Sequence, residues 1–291
     1  KMRNRKEFQI IENVEALDIA DEGKAIAKVD DLVVFLSRVV PGDVMDIRPK
    51  KWKKNFMEAE VVKIVKPSDR RTTPPCEHFG VCGGCKWQNM KYESQLHYKQ
   101  KHVEESMRRI GKIVSPTILP ILPSEKTFYY RNKLEFTFSA FPQPVLGFHV
   151  AERFDRVLDV NHCHLQQDPS NNIRNSVRNF ALENNYPFFD IQRQTGVLRN
   201  LIIRTSSTGD LMVIVSIFKD EPVIREKILN HLEEKFPEIT ALMYVINQKG
   251  NDTIVDQDIK LHRGNDHIMQ KIGHLRLKIG PKSFFKVNTP Q

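Results

Sequence analysis

Cys76, Cys82 and Cys85 form the pattern Cys-x5-Cys-x2-Cys, with Gly83-Gly84 between the last pair, and a fourth cysteine, Cys163, follows far downstream. Thiolates are soft ligands for iron–sulfur clusters or zinc. Two residues between ligands let a loop wrap a metal centre, and adjacent glycines leave backbone N–H groups free to approach a cluster sulfide. Zinc is the alternative, because four cysteines can close a tetrahedral site and His78, His162 and His164 stand nearby in sequence. Structural zinc sites usually arrive as two short ligand pairs, whereas here three ligands cluster and one is distant, which favours a [4Fe-4S] cluster. Four unrelated buried thiols are the remaining possibility. With a fourth thiolate available, no iron is left open for radical chemistry, so a structural cluster is expected rather than a redox catalyst.

A second group of residues could bind polyanions. Arg48-Pro49-Lys50-Lys51-Trp52-Lys53-Lys54-Asn55-Phe56 interleaves five cations with two aromatics. Cations neutralise phosphates and exposed aromatic faces stack on unpaired bases, so Lys50, Lys51, Trp52, Lys53, Lys54 and Phe56 are candidate RNA contacts. A solvated hairpin with its Trp tucked inward is the alternative. Arg131 and Lys133 alternate with the apolar residues Leu134, Phe136 and Phe138, which places them on the opposite strand face as further candidates. Arg199 and Arg204 flank a later strand in the same way, with plain surface charge or a phosphate contact as the two options. Trp87, beside Cys85, is expected to pack and exclude water. His162 and His164, which bracket Cys163, are expected to pack or hydrogen-bond.

These residues need elements to hold them. The chain has 291 residues with 45 Lys plus Arg against 36 Asp plus Glu, a formal charge of +9 and a pI near 9.3. That length predicts at least two domains, and the excess charge favours anionic partners. A balance of 40% hydrophobic and 28% charged residues argues against disorder, and no apolar run approaches membrane-spanning length. No signal-peptide core follows the basic Lys1–Lys6 stretch, so a cytoplasmic location is expected. Four cysteines are too few for a disulfide scaffold in a chain this long.

Short runs at 25–29, 32–36, 44–47 and 59–65, broken by turn residues, predict a small antiparallel barrel. Tyr92, Leu96, Val103, Met107 and Ile110 recur at helical spacing and predict one apolar helix face up to Gly111. Further strands are predicted at 134–139, 145–150, 157–160, 201–205, 211–218 and 241–246. Helices are predicted at 170–183 and 222–236, with Ile173, Val177 and Phe180 inward on the first. An α+β arrangement with an antiparallel sheet follows.

The cysteine pattern with the following Lys86-Trp87-Gln88, the Asp159-Val160-Asn161-His162-Cys163 segment, Gly23-x-Ala25, Val40-Pro41-Gly42-Asp43, Tyr130-Arg131-Asn132-Lys133 and Gly147-Phe148 together resemble the uracil-5-methyltransferases of ribosomal RNA. The resemblance implies a TRAM (OB-like) β-barrel over 1–66, a cysteine loop and helix over 67–115, and a central α+β domain over 116–278. It implies a [4Fe-4S] cluster on Cys76, Cys82, Cys85 and Cys163, and S-adenosylmethionine as methyl donor of the full-length enzyme. It further implies 23S ribosomal RNA as partner of a monomeric protein. In such enzymes a cysteine adds to C6 of uracil, C5 takes the methyl group, and a carboxylate removes the C5 proton.

Ser283-Phe284-Phe285-Lys286-Val287-Asn288 resembles the segment that opens the family's Rossmann-like methyltransferase domain, with Lys286 where the family has Gln. On this basis residues 279–291 are the start of a domain that is largely absent. No catalytic residue is expected in the chain, no cofactor-binding residue is assigned, and the polypeptide alone is expected to be inactive. A stand-alone iron–sulfur or zinc RNA-binding module is the alternative function.

Overall fold

The computed structural model describes residues 9–291, so the basic Lys1–Lys6 stretch lies outside it. The chain divides into two units: one runs to Gly80 and resumes over Cys85–Pro123, the other comprises Val81–Gly84 and Ser124–Gln291.

In the first unit β1 (Ile11–Ile19), β2 (Ala25–Val29), β3 (Leu32–Leu36), β4 (Val44–Trp52) and β5 (Phe56–Lys66) close into a barrel in the order β1-β2-β3-β5-β4. Val14, Ala16, Ala25, Ala27, Val34, Leu36, Met45, Ile47 and Met57 fill it. Alanines recur among them because a narrow closed barrel leaves little interior room. The expected all-antiparallel pairing is corrected at one seam, where Val33–Leu36 runs parallel to Phe56–Ala59. A closed ring with an odd number of strands cannot alternate direction throughout, so at least one parallel pair is unavoidable.

Asp43 ties this barrel to the connector that follows. Its buried carboxylate accepts the N–H of Val40 at 2.7 Å and of Ser68 at 2.9 Å, and both Nε and Nη2 of Arg71 at 2.6 and 2.8 Å. Trp87 completes the attachment: its Nε1–H donates to the carbonyl of Gly23 at 3.0 Å, and Trp87 packs on the Val40, Met90 and Tyr98 cluster. Gly23 has φ +76°, and a Cβ there would lie 2.7 Å from Trp87 Nε1, so only glycine fits.

Helix α1 (Tyr92–Glu105) continues into a single wider turn over Ser106–Ile110, closed by Gly111 N–H donating to Ser106 C=O. The apolar face expected from spacing is corrected here. Tyr98 is the residue α1 buries, whereas Val103, Met107 and Ile110 are exposed. The helix docks by one aromatic and by Gln95, whose Nε2 donates to the carbonyls of Trp87 and Met90.

The second unit is built on β6 (Lys133–Ser139), β7 (Val145–His149), β8 (Val157–Asp159), β9 (Leu198–Thr205), β10 (Leu211–Ile217), β11 (Ala241–Ile246) and β12 (Ile259–Gly264). They form one sheet in the order β12-β11-β10-β9-β6-β7-β8. Helices α2 (Ser170–Glu183) and α3 (Pro222–Lys235) contribute Ile173, Val177, Ile228 and Leu232 to the core that also holds Phe136, Phe138, Leu201 and Val213. The antiparallel expectation is corrected at β10 and β11, which run parallel with Met212 beside Ala241. The helix α3 crossover returns the chain to the same end of the sheet, and that connection makes neighbouring strands parallel.

The alternate residues Ile202, Met212, Ile214 and Met243 point to the other face and pack against Ile268 and Ile279. Those two come from a hairpin, β13 (Ile268–Ile272) and β14 (Leu275–Ile279), that the sequence expectations omit, as they omit β12. β14 does alternate, as Leu275-Arg276-Leu277-Lys278-Ile279, a period-2 pattern legible in the sequence. The hairpin is fastened by Asp210, whose Oδ2 accepts Met269 N–H at 2.7 Å, and by Thr208, whose hydroxyl donates to Met269 C=O at 2.7 Å.

Replacing Asp43 by Asn leaves Arg71 without its counter-charge and loses part of a buried four-donor set. The expected cost is about 3 kcal/mol, read as a lower urea midpoint for loss of the Trp87 fluorescence signal. An unchanged midpoint would remove Asp43 from its organising role.

Candidate functional site

The basic, aromatic stretch expected as a loop lies mainly in a strand. β4 extends through Trp52, and the turn occupies Lys53, Lys54 and Asn55, closed by Lys53 N–H donating to Phe56 C=O at 2.9 Å. A register shift between Pro49 and Lys51 accommodates the proline. Strand alternation turns Ile47 and Pro49 inward and Arg48 and Lys50 outward. Glu60 on β5 lies 3.3 Å from both Arg48 Nη1 and Lys50 Nζ, and Glu58 lies 3.8 Å from Lys51 Nζ. Exposed pairs of this kind contribute about 0–1 kcal/mol, so they do not hold these cations back from a phosphate. Trp52 is 51% exposed at the end of the strand. Phe56, half-buried on the outer face of β5, packs edge-on against Phe35 at 5.8 Å.

The cysteines are shared between the units: Cys76 and Cys85 belong to the first, Cys82 and Cys163 to the second. Cys82 forms a β-bridge with Val150, and Gly83 N–H donates to His149 C=O at 2.9 Å. A Cβ on Gly83 would meet that carbonyl at 2.9 Å, so the glycine is needed for this backbone approach. Cys163 is buried, and Asn171 holds it from both sides: Oδ1 accepts Cys163 N–H at 2.8 Å, and Nδ2 donates to Cys163 C=O at 3.2 Å. Arg174 is buried beside them and donates from Nη2 to Asn161 C=O at 2.6 Å, with Nε and Nη1 unspent. Burial pushes its pKa down to about 10, the neighbouring Arg178 adds to that shift, and Asp159 and Cys163 oppose it.

Among the described residues no three His, Cys, Asp or Glu side chains group as a metal site. The donor chemistry of the four thiols suits a cluster or zinc. His162 and His164 hydrogen-bond, as expected. Their Nε2 and Nδ1 lie 3.0 and 2.9 Å from the Tyr129 hydroxyl.

Of the other cations, Lys133 Nζ pairs with Glu135 at 3.4 Å, and burial raises the Glu135 pKa. Arg131 Nε donates to Lys133 C=O at 3.4 Å. Arg199 and Arg204, weighed above as surface charge or phosphate contacts, are both buried. Arg199 donates to Asp252 and to the carbonyls of Asn247 and Lys249, with its guanidinium 4.6 Å from the Phe189 ring centroid. Strand alternation gives only the face, and here loops cover that face.

No known protein-family profile matches the chain. It is 51% identical over 291 residues to an uncharacterized RNA methyltransferase of Bacteroides thetaiotaomicron, covering 94% of this chain and 64% of that protein. A protein of the same description from Porphyromonas gingivalis is 44% identical, covering 96% and 64% respectively. The chain therefore spans slightly less than two thirds of the length of these relatives. Its structure superposes on the Pyrococcus abyssi tRNA (uracil-54, C5)-methyltransferase, solved with S-adenosyl-L-homocysteine, with TM-score 0.73 and 21% identity, over 95% of this chain and 61% of that one. This overturns the expectation of a fold defined by a largely absent methyltransferase domain. Nearly all of the chain follows the fold of a methyltransferase, and residues 283–289 are packed into the second unit. The expectation that catalytic residues are missing loses its basis with it.

Replacing Asn171 by Ala removes both clamps on Cys163 and leaves its buried N–H unsatisfied, at a cost of about 1–3 kcal/mol. Thiol labelling of the otherwise single-cysteine protein (Cys76, Cys82 and Cys85 replaced by Ser) is expected to accelerate at least tenfold in N171A. Equal rates would show that Asn171 does not control access to Cys163.

Proposed function

Because its sequence is similar over 94% of its length to a protein named as an RNA methyltransferase, we propose that the chain is the RNA-gripping part of an S-adenosylmethionine-dependent RNA (uracil-C5) methyltransferase. The observation that carries the RNA-gripping role is Trp52, half exposed at the end of a strand and flanked by Lys50, Lys51, Lys53 and Lys54. A flat ring among cations offers a stacking face and phosphate neutralisation together, which suits unpaired RNA. Double-stranded RNA would offer no free base face to the ring. Lys133 and Arg131 add positive charge in the second unit, and Phe56 packs on Phe35 beside the hairpin.

The methyl donor supplies an electrophilic methyl group. Uracil C5 becomes nucleophilic only after addition at C6, so the RNA must be held with its base unstacked, and holding it is the task assigned to this chain. The finer substrate reading is 23S ribosomal RNA, which rests on the resemblance carried by the cysteine pattern. The cysteines themselves are read as ligands of a [4Fe-4S] cluster, supported by Cys-x5-Cys-x2-Cys spacing and by Gly84 N–H, which donates to Cys82 Sγ at 3.4 Å.

Three measurements test this function. Trp52→Ala is expected to weaken binding of a uridine-containing single-stranded RNA by about 1–3 kcal/mol. Lys53→Ala with Lys54→Ala is expected to flatten the slope of log K against log salt by about 1.4. Binding unaffected by all three substitutions would remove the hairpin from the RNA site. Protein purified anaerobically is expected to carry iron and acid-labile sulfide in equal amounts; stoichiometric zinc without sulfide would sink the cluster reading.

A further inference from the structure

Arg174 lies fully buried on α2, with its guanidinium 5.4 Å from the Phe136 ring centroid. Its Nη2 donates to Asn161 C=O at 2.6 Å and reaches Asn171 Oδ1 at 3.4 Å, while Nε and Nη1 find no acceptor among the described residues. A guanidinium this deep is tolerated when a carboxylate or a full set of acceptors compensates it. Asp159, the carboxylate whose charge reaches Arg174, is committed elsewhere: both of its oxygens accept Arg178 Nη1, at 2.8 and 2.9 Å.

The other anionic group that acts on Arg174 is Cys163. Cys163 is buried, and Asn171 Oδ1 joins the two residues by accepting Cys163 N–H at 2.8 Å as well as Arg174 Nη2. A neutral thiol would leave the guanidinium uncompensated. A ligated thiolate is negative, and donors and charges just outside the ligands stabilise such a centre and set its potential.

We propose that Arg174 is the internal counter-charge of the cluster-bound Cys163 thiolate, so that its burial destabilises the cluster-free chain and is compensated on loading. This rests on the cluster reading of the cysteines above. Asn161 and Asn171 hold Nη2 and so fix the guanidinium beside the Cys163 loop. The proposal gives Arg174 a stability effect whose sign depends on loading, which a packing residue would not have.

The test compares Arg174→Met, Arg174→Gln and Arg174→Lys with the parent, each purified anaerobically with its cluster and again after a chelator has stripped the iron. In the loaded protein, R174M is expected to lower the urea midpoint and to release iron at least tenfold faster. In the stripped chain it is expected not to lower the midpoint, because an apolar side chain replaces an uncompensated buried ion. R174K, which keeps the charge on a single nitrogen, is expected to release iron at an intermediate rate. The reduction potential of the cluster is expected to become more negative in R174M, since removing a nearby positive charge disfavours the reduced form.

A midpoint that falls equally in loaded and stripped protein overturns the counter-charge and makes Arg174 a packing residue. If R174M does not fold, R174Q supplies the charge-free variant and keeps a donor for Asn161. A parent protein without iron and sulfide defeats the cluster reading, and this inference falls with it. A parent that carries both, with iron release and potential unaltered in the charge-free variant, overturns the counter-charge alone.

Discussion

A buried carboxylate with four donors sets the architecture of the first unit. Asp43 sits at the turn between the third and fourth barrel strands, where Pro41-Gly42 redirects the chain, and it gathers the amides of Val40 and Ser68 with the guanidinium of Arg71. An ion this deep in the protein is tolerable only when every lone pair is satisfied. The requirement fixes the exit of β5 and the path of the connector, and so the start of the segment bearing Cys76. Trp87 repeats the logic from the other end of the loop, spending its N–H on the one carbonyl that the positive φ of Gly23 turns towards it. The cysteine loop is thus fastened to the barrel by polar contacts rather than by a large apolar face.

The second unit solves a different problem. Its sheet is apolar on both faces at the centre, so each face needs a cover. Helices α2 and α3 supply one through Ile173, Val177, Ile228 and Leu232. The β13–β14 hairpin supplies the other, aided by Phe285. Buried arginines stitch the second cover together: Arg199 holds the loop carrying Asp252, and Arg204 holds the segment beginning at Ser283. Arginine suits this role because a planar fork can serve several carbonyls while its aliphatic stem packs on aromatic rings, as Arg199 does over Phe189. A net charge of +9 therefore overstates the positive surface, since part of it is spent inside the fold.

Trp52 with its lysines is an exposed aromatic and cationic group that rides on the backbone of a barrel strand. A stacking residue on a rigid support loses little entropy when it meets a base. Local backbone order is what makes such a group useful, whatever RNA it meets.

Sequence alone determined the elements with strong periodicity. Helix α2 spans Ser170–Glu183 and α3 begins at Pro222, because their apolar stripes and the helix-starting proline are local signals. The same holds for β2, β3, β6 and β11, where apolar runs or alternation mark the buried face. The cysteine pattern and the basic hairpin were visible as residue types at set spacing. Tertiary structure decided what spacing cannot encode. It made one barrel seam and the β10–β11 pair parallel, because closure and crossover direction are properties of the whole ring and sheet. It left Val103, Met107 and Ile110 exposed and buried Tyr98, because a periodic stripe says nothing about whether a partner surface exists. It turned Arg199 and Arg204 from surface charges into internal clamps, because alternation names a strand face while only the packed chain determines whether solvent or another segment lies against it.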